Sequence, residues 1–150
     1  MVSPSLHPDI VGLLDYSSAE LPTVVMTNAM LLRGRRAAGL ADLAGRKLTV
    51  QTSLDGATAQ THDLHRGSGS GSWQRTLDGI RHLISLGLTP RIALTETPEN
   101  THEVPAVAKL LAGLGLPADH FAVRPLLRRG FAEDSPRPGW RSARTPASPN

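Results

Sequence analysis

Between Ser53 and Arg66 the chain gathers a hydroxyl, two carboxylates, two imidazoles and a guanidinium, in Ser53, Asp55, His62, Asp63, His65 and Arg66. Ser53 and Asp55 follow Leu48-Thr49-Val50-Gln51-Thr52, where apolar and polar residues alternate as in a strand. That places them at a strand's carboxyl end, the end at which α/β folds bind ligands. The plainer reading of the same residues is that Asp55 and Gly56 make a turn and Ser53 caps backbone. His62 and His65, three apart, would share a helical face and offer two imidazoles to a metal, but no third strong ligand accompanies them. Glu96 and Glu99 flank Pro98 and suit either acid–base work or a loop that approaches a helix. Asn28 ends an earlier strand-like run and lines the same pocket or forms a turn; Arg124, before Pro125, points into the mouth of the fold or packs at its surface.

The elements that must position these residues follow from periodicity. Pro8 and Asp9 suit the first turn of a helix, with Ile10, Leu13, Leu14 and Ser17 on its inward face. Thr23-Val24-Val25-Met26-Thr27 is a short buried strand. Residues 36–45 form a helix with Leu40 and Leu43 inward and Gly45 at its C-terminal cap. Residues 57–66 read as a polar connection or short helical turn, and Gly67 to Ser72 as a flexible Gly/Ser loop with Ser72 as N-cap. Trp73, Leu77, Ile80, Leu83 and Ile84 recur at helical spacing and Gly87 closes that helix. Arg91 to Thr95 is the third strand. Asn100 or Thr101 caps a helix over about 103–114, with Pro105 in its first turn, and Phe121 to Arg124 is the fourth strand. A folded unit over residues 1–132 is thus expected, followed by a disordered Pro/Ser/Arg-rich tail, 133–150.

Strands starting near 23, 48, 91 and 121 alternate with helices, which predicts right-handed crossovers and an α/β fold around a parallel sheet. Four strands cannot close a barrel, so the sheet reads as part of a larger one. The absence of cysteine excludes disulfides, thiolate zinc sites, a cysteine nucleophile and any cysteine-held iron–sulfur cluster formed by these 150 residues. The net charge of +3 comes from small groups of arginine. It reads as a solvated surface and not a nucleic-acid face, because neither a basic helical face nor an aromatic stacking pair accompanies it. No stretch resembles a signal peptide or membrane span, so a cytoplasmic protein is the expectation.

Taken together, the quoted residues are familiar. Leu6-His7-Pro8-Asp9-Ile10, Val25-Met26-Thr27-Asn28, Ser53-Leu54-Asp55-Gly56 with His62-Asp63 and Arg66-Gly67, Asp78-Gly79-Ile80, and Arg124-Pro125-Leu126 stand in one order. In that order and spacing they resemble the later part of the barrel of radical S-adenosylmethionine (radical SAM) enzymes. The resemblance covers about Leu6 to Gly130 and implies a partial (β/α) TIM-like barrel with about four parallel strands. By resemblance, Ser53 and Asp55 hold the ribose or carboxylate of S-adenosylmethionine, Arg66 pairs with its methionine carboxylate, Asn28 lines the same pocket, and His62-Asp63 fixes a loop.

Two departures qualify this. The family holds a [4Fe–4S] cluster with a C-x-x-x-C-x-x-C loop, and this sequence has no cysteine; a Gly-Gly-Glu motif that binds the methionine amino group is also missing, the chain opening at Met1-Val2-Ser3-Pro4 where it is expected. Without a cluster no electron reaches the sulfonium, so the resemblance implies a truncated relative that is not catalytically competent alone. The rival expectation is a binding module for S-adenosylmethionine or a nucleotide, or one that docks a cluster-bearing partner chain. Exposed sheet edges otherwise imply self-association.

Overall fold

The computed structural model describes residues 7–29, 34–66 and 71–126. In chain order the elements are α1 (Ile10–Glu20), β1 (Thr23–Met26), α2 (Arg35–Asp42), β2 (Leu48–Ser53), α3 (Ala59–Arg66), α4 (Ser72–Ser85), β3 (Arg91–Glu96), α5 (Val104–Gly113) and β4 (Phe121–Pro125). The four strands pair in the order β1-β2-β3-β4, all parallel, with Val25 opposite Val50, Thr52 opposite Ile92 and Leu94 opposite Val123.

That order decides the architecture. Right-handed crossovers that always step in one direction put every connecting helix on one face of the sheet. A doubly wound sheet reverses direction and carries helices on both. Here each strand pairs with the next in sequence, so the sheet is a segment of barrel wall: an α/β, partial TIM-like barrel with four parallel strands.

The helix-covered face holds the core. Ile10 and Leu14 of α1 pack with Val25, Leu40, Leu43, Val50 and Leu83, while Leu77 and Ile80 of α4 and Val107 and Leu111 of α5 pack with Leu54, Ile92 and Leu94. Leu54, Ile80, Leu83, Leu94 and Val107 are wholly buried, each contributing about 1.5–3 kcal/mol through removal of apolar surface from water. Strand alternation turns Val24 and Met26, Thr49, Gln51 and Ser53, Ala93 and Thr95, and Ala122 and Arg124 to the opposite face. No described helix covers that open face, and Val24 and Met26 on it are 58% and 53% exposed.

The structure revises several local expectations. The inward face of α1 is Ile10, Leu14 and Ser18, and Leu13 is 51% exposed, because a helix at the end of the sheet buries only a narrow stripe. Residues 59–66 are a two-turn helix. The helix expected over 36–45 ends at Asp42, and Gly45 follows a further turn later with φ 89°. Gly71, not Ser72, is the N-cap of α4. Residues 67–70 of the Gly/Ser run and the tail expected over 133–150 lie outside the described residues.

One close approach ties β1 to α4. A Cβ on Gly79 would stand 2.6 Å from the carbonyl oxygen of Ala29, so only glycine lets the helix rest on the chain just after Asn28. Ala29 is fully buried there with φ 61°.

Candidate functional site

The polar residues singled out in the sequence meet where β2 and β3 end. The apolar Leu54 anchors the end of β2 in the core, and Asp55, 6% exposed, lies one residue beyond. All four polar groups of Asp55 are engaged. Its Oδ1 accepts the Thr95 N–H at 2.9 Å, its Oδ2 pairs with Arg66 Nη2 at 2.8 Å, its N–H donates to His62 Nδ1 at 3.1 Å, and its carbonyl accepts from Asn100 Nδ2 at 3.0 Å. Asp55 therefore latches β2 to β3, α3 and the β3–α5 loop at once.

Three other side chains hold the surrounding loops. Asn100, fully buried, donates through Nδ2 to both the Asp55 and Thr95 carbonyls and accepts the Thr97 N–H at Oδ1. Glu103, just before α5, accepts from the Ala57 and Thr58 N–H groups and from the Thr58 and Thr61 hydroxyls. Burial works to raise its pKa, but these bonds outweigh it and hold the carboxyl below its ordinary value. Asp63 accepts from the Ser72 hydroxyl and from the Gly71 and Trp73 N–H groups, capping α4 from α3; the Ser72 bond leads in lowering its pKa. The turn at Gly56 is compact enough that a Cβ there would stand 2.8 Å from the His62 nitrogen.

Asn100 does stand at the N-cap of a short 3-10 turn, Thr101–Glu103, that leads into α5, but its side chain makes no capping bond there and is spent on the strand ends. Sequence reasoning missed both Glu103 and this use of Asn100. The two histidines of α3 serve different partners, His62 the Asp55 N–H and His65 the Thr97 hydroxyl at 2.9 Å. The described residues include no group of three or more His, Asp or Glu side chains placed to hold a metal ion. Glu96 accepts from Thr101 and lies in the approach to α5.

Of the expected ligand-binding residues, the structure joins Asp55 and Arg66 directly. Ser53 lies on the open face two residues before Asp55, half-buried, with no hydrogen bond to its hydroxyl among the described residues. Asn28 lies beyond the end of the neighbouring strand β1. Arg66 is 35% exposed and, among the described residues, pairs through Nη2 with Asp55, which leaves further guanidinium donors. A cleft of about 120 Å³ lined by Leu43, Leu48, Val50 and Leu88 opens near the other end of the strands and carries no titratable side chain.

His62 gives the cluster a pH dependence. Its Nδ1 accepts the Asp55 N–H, so the neutral ring keeps its proton on Nε2, and protonation would set two N–H groups against each other. Burial, then the Arg66 charge, lowers its pKa from 6.5, while Asp55 and Asp63 oppose that shift. A base with a depressed folded-state pKa contributes stability that is complete above its unfolded value and lost as pH falls through the folded one. Stability should therefore decline below about pH 6.5, by at most about 1.4 kcal/mol per pH unit, before the carboxylates titrate. Urea denaturation from pH 7.5 to 5 should show this decline, and His62→Gln should flatten it; equal slopes would refute the assignment.

No family model matches the chain, but individual relatives do. It is 32% identical over 136 residues to the AdoMet-dependent heme synthase of Methanosarcina barkeri, covering 90% of this chain and 38% of that protein. It is 31% identical over 114 residues to the antilisterial bacteriocin subtilosin biosynthesis protein AlbA of Bacillus subtilis, covering 75% and 25%. It is 32% identical over 124 residues to the mycofactocin maturase MftC of Mycolicibacterium smegmatis, covering 81% and 31%. The chain thus spans less than two fifths of the length of these curated relatives. Matches to several such proteins over most of the chain agree with the one-sided parallel sheet and with the motifs at its strand ends. On this evidence the chain belongs to the radical S-adenosylmethionine superfamily, as the carboxyl-terminal part of the barrel without the cluster-binding cysteines.

Proposed function

We propose that this chain forms one wall of an S-adenosylmethionine pocket and does not catalyse on its own. The observation that carries the reading is Arg66, held by Asp55 at the strand ends and 35% exposed, on a strand end whose Ser53 hydroxyl makes no hydrogen bond among the described residues. A guanidinium suits a carboxylate, and Ser53 suits the same group or a ribose hydroxyl; Asn28, at the end of β1, would border them. A [4Fe–4S] cluster does not fit these residues, since the sequence holds no cysteine. Cluster and amino-group ligands would have to come from residues beyond these 150, in the same polypeptide or a partner.

A second reading, partner docking, is favoured by apolar exposure at one end of the sheet. Val24 and Met26 of β1, together with Leu13 and Tyr16 of α1 and the following Leu21, are all more than half exposed. Val24 and Met26 lie on the open face and Leu13 and Tyr16 on α1 across the other face, at the same edge of the sheet, and a cluster-bearing segment would cover that edge, or a second copy in its absence.

One experiment addresses both. At ten times its Kd, S-adenosylmethionine should stabilise the chain by about 1.4 kcal/mol, raising Tm by about 4 °C, and Ser53→Ala or Arg66→Gln should abolish the rise. No rise at millimolar ligand would sink the binding reading. Sedimentation of the same sample should show self-association, and a strict monomer would count against docking.

A further inference from the structure

The open face of the sheet carries a second polar arrangement, apart from the strand-end cluster. Its strand residues include two arginines, Arg91 and Arg124, and no carboxylate. Arg124 reaches across β3, where Ser53, Ala93 and Ala122 form a row of small side chains, and its Nη2 donates to Gln51 Oε1 at 3.4 Å. Gln51 is 8% exposed. With its carbonyl committed to Arg124, its amide nitrogen is turned the other way, shielded from solvent and without an acceptor among the described residues. A buried donor left so is unfavourable, and an incoming acceptor would remove that cost. Among the described residues the Arg124 guanidinium, meanwhile, hydrogen-bonds a neutral amide alone and has donors to spare.

We propose that Gln51 and Arg124 form a carboxylate subsite on the open face, taking the acid group of an organic molecule that lies over β3. On binding, the Gln51 amide turns over, so that its Nε2 donates to one carboxylate oxygen while the Arg124 guanidinium donates to the other. Arg91, in register with Gln51, adds positive charge to the same face. The subsite uses neither Asp55, Arg66 nor Asn28, so it stands or falls independently of S-adenosylmethionine binding.

The test is a titration of the 15N-labelled full chain with benzoate at constant ionic strength, following the Arg124 Nε–H and the Gln51 amide pair by NMR. Both signals should move together and saturate, and Arg124→Gln, a change at an exposed side chain, should weaken the response at least tenfold. Gln51→Glu is the second variant: it supplies its own carboxylate to Arg124 and should keep a dispersed spectrum while losing the benzoate response. A drift without saturation, an unchanged response in either variant, or saturation by inorganic phosphate in place of benzoate would overturn the proposal.

Discussion

Asn100→Ala should destabilise the chain by about 4 kcal/mol, because one truncation takes a partner from a buried carbonyl, a part-buried carbonyl and a buried N–H. Each lost partner costs about 1–3 kcal/mol, and the side chain is fully buried, so water cannot easily replace it. For a chain of this size that is a fall in Tm of roughly 10–15 °C. Asn100→Asp separates hydrogen bonding from packing. It keeps shape and volume but sets a carboxylate oxygen against the Asp55 and Thr95 carbonyls, so it should cost at least as much as alanine. Urea denaturation of the three proteins checks this, and an aspartate variant near wild-type stability would refute the assigned roles of Oδ1 and Nδ2.

Asn100 also shows where sequence reading stops. The strands were legible because β2 and β3 carry apolar runs whose alternation survives folding, and α4 because Trp73, Leu77, Ile80 and Leu83 repeat at helical spacing. An asparagine before a helix looks the same whether it caps that helix or not. What decided its role was two carbonyls, one of them on Asp55, 45 positions away along the chain. Asp63 was legible as a loop-fixing residue from the family pattern, but its helix cap lies across the Gly/Ser run, where Ser72 was the local choice. Glu103 carried no local signal at all, since three of its four donors come from the β2–α3 loop and the fourth from α3. Gln51 read as one polar residue in an alternating strand; the sign of something more was a long amide in the middle of a parallel sheet, with an arginine two strands away on the same face.

The Asp55–Arg66 pair supplies the other large effect, and its two halves should not be equal. Asp55→Ala removes the acceptor of the Thr95 N–H along with the partner of Arg66, and should cost about 3 kcal/mol. Asp55→Asn keeps an oxygen for Thr95, and Arg66, 35% exposed, can turn to solvent, so about 1 kcal/mol is expected. Arg66→Met leaves a carboxylate with 8% side-chain exposure facing only one N–H, and should cost about 2 kcal/mol, less than a fully buried pair would. Urea denaturation at pH 7.5 should therefore rank the variants Asp55→Ala, then Arg66→Met, then Asp55→Asn. The reverse order of the last two would mean that Arg66, not Asp55, is the member held by the fold. Since each carboxylate oxygen of Asp55 already has a protein partner, its influence on binding is expected to run through the position it gives Arg66. Asp55→Asn should accordingly weaken S-adenosylmethionine binding less than Arg66→Gln does, and an equal loss would show a direct contact that this geometry does not provide.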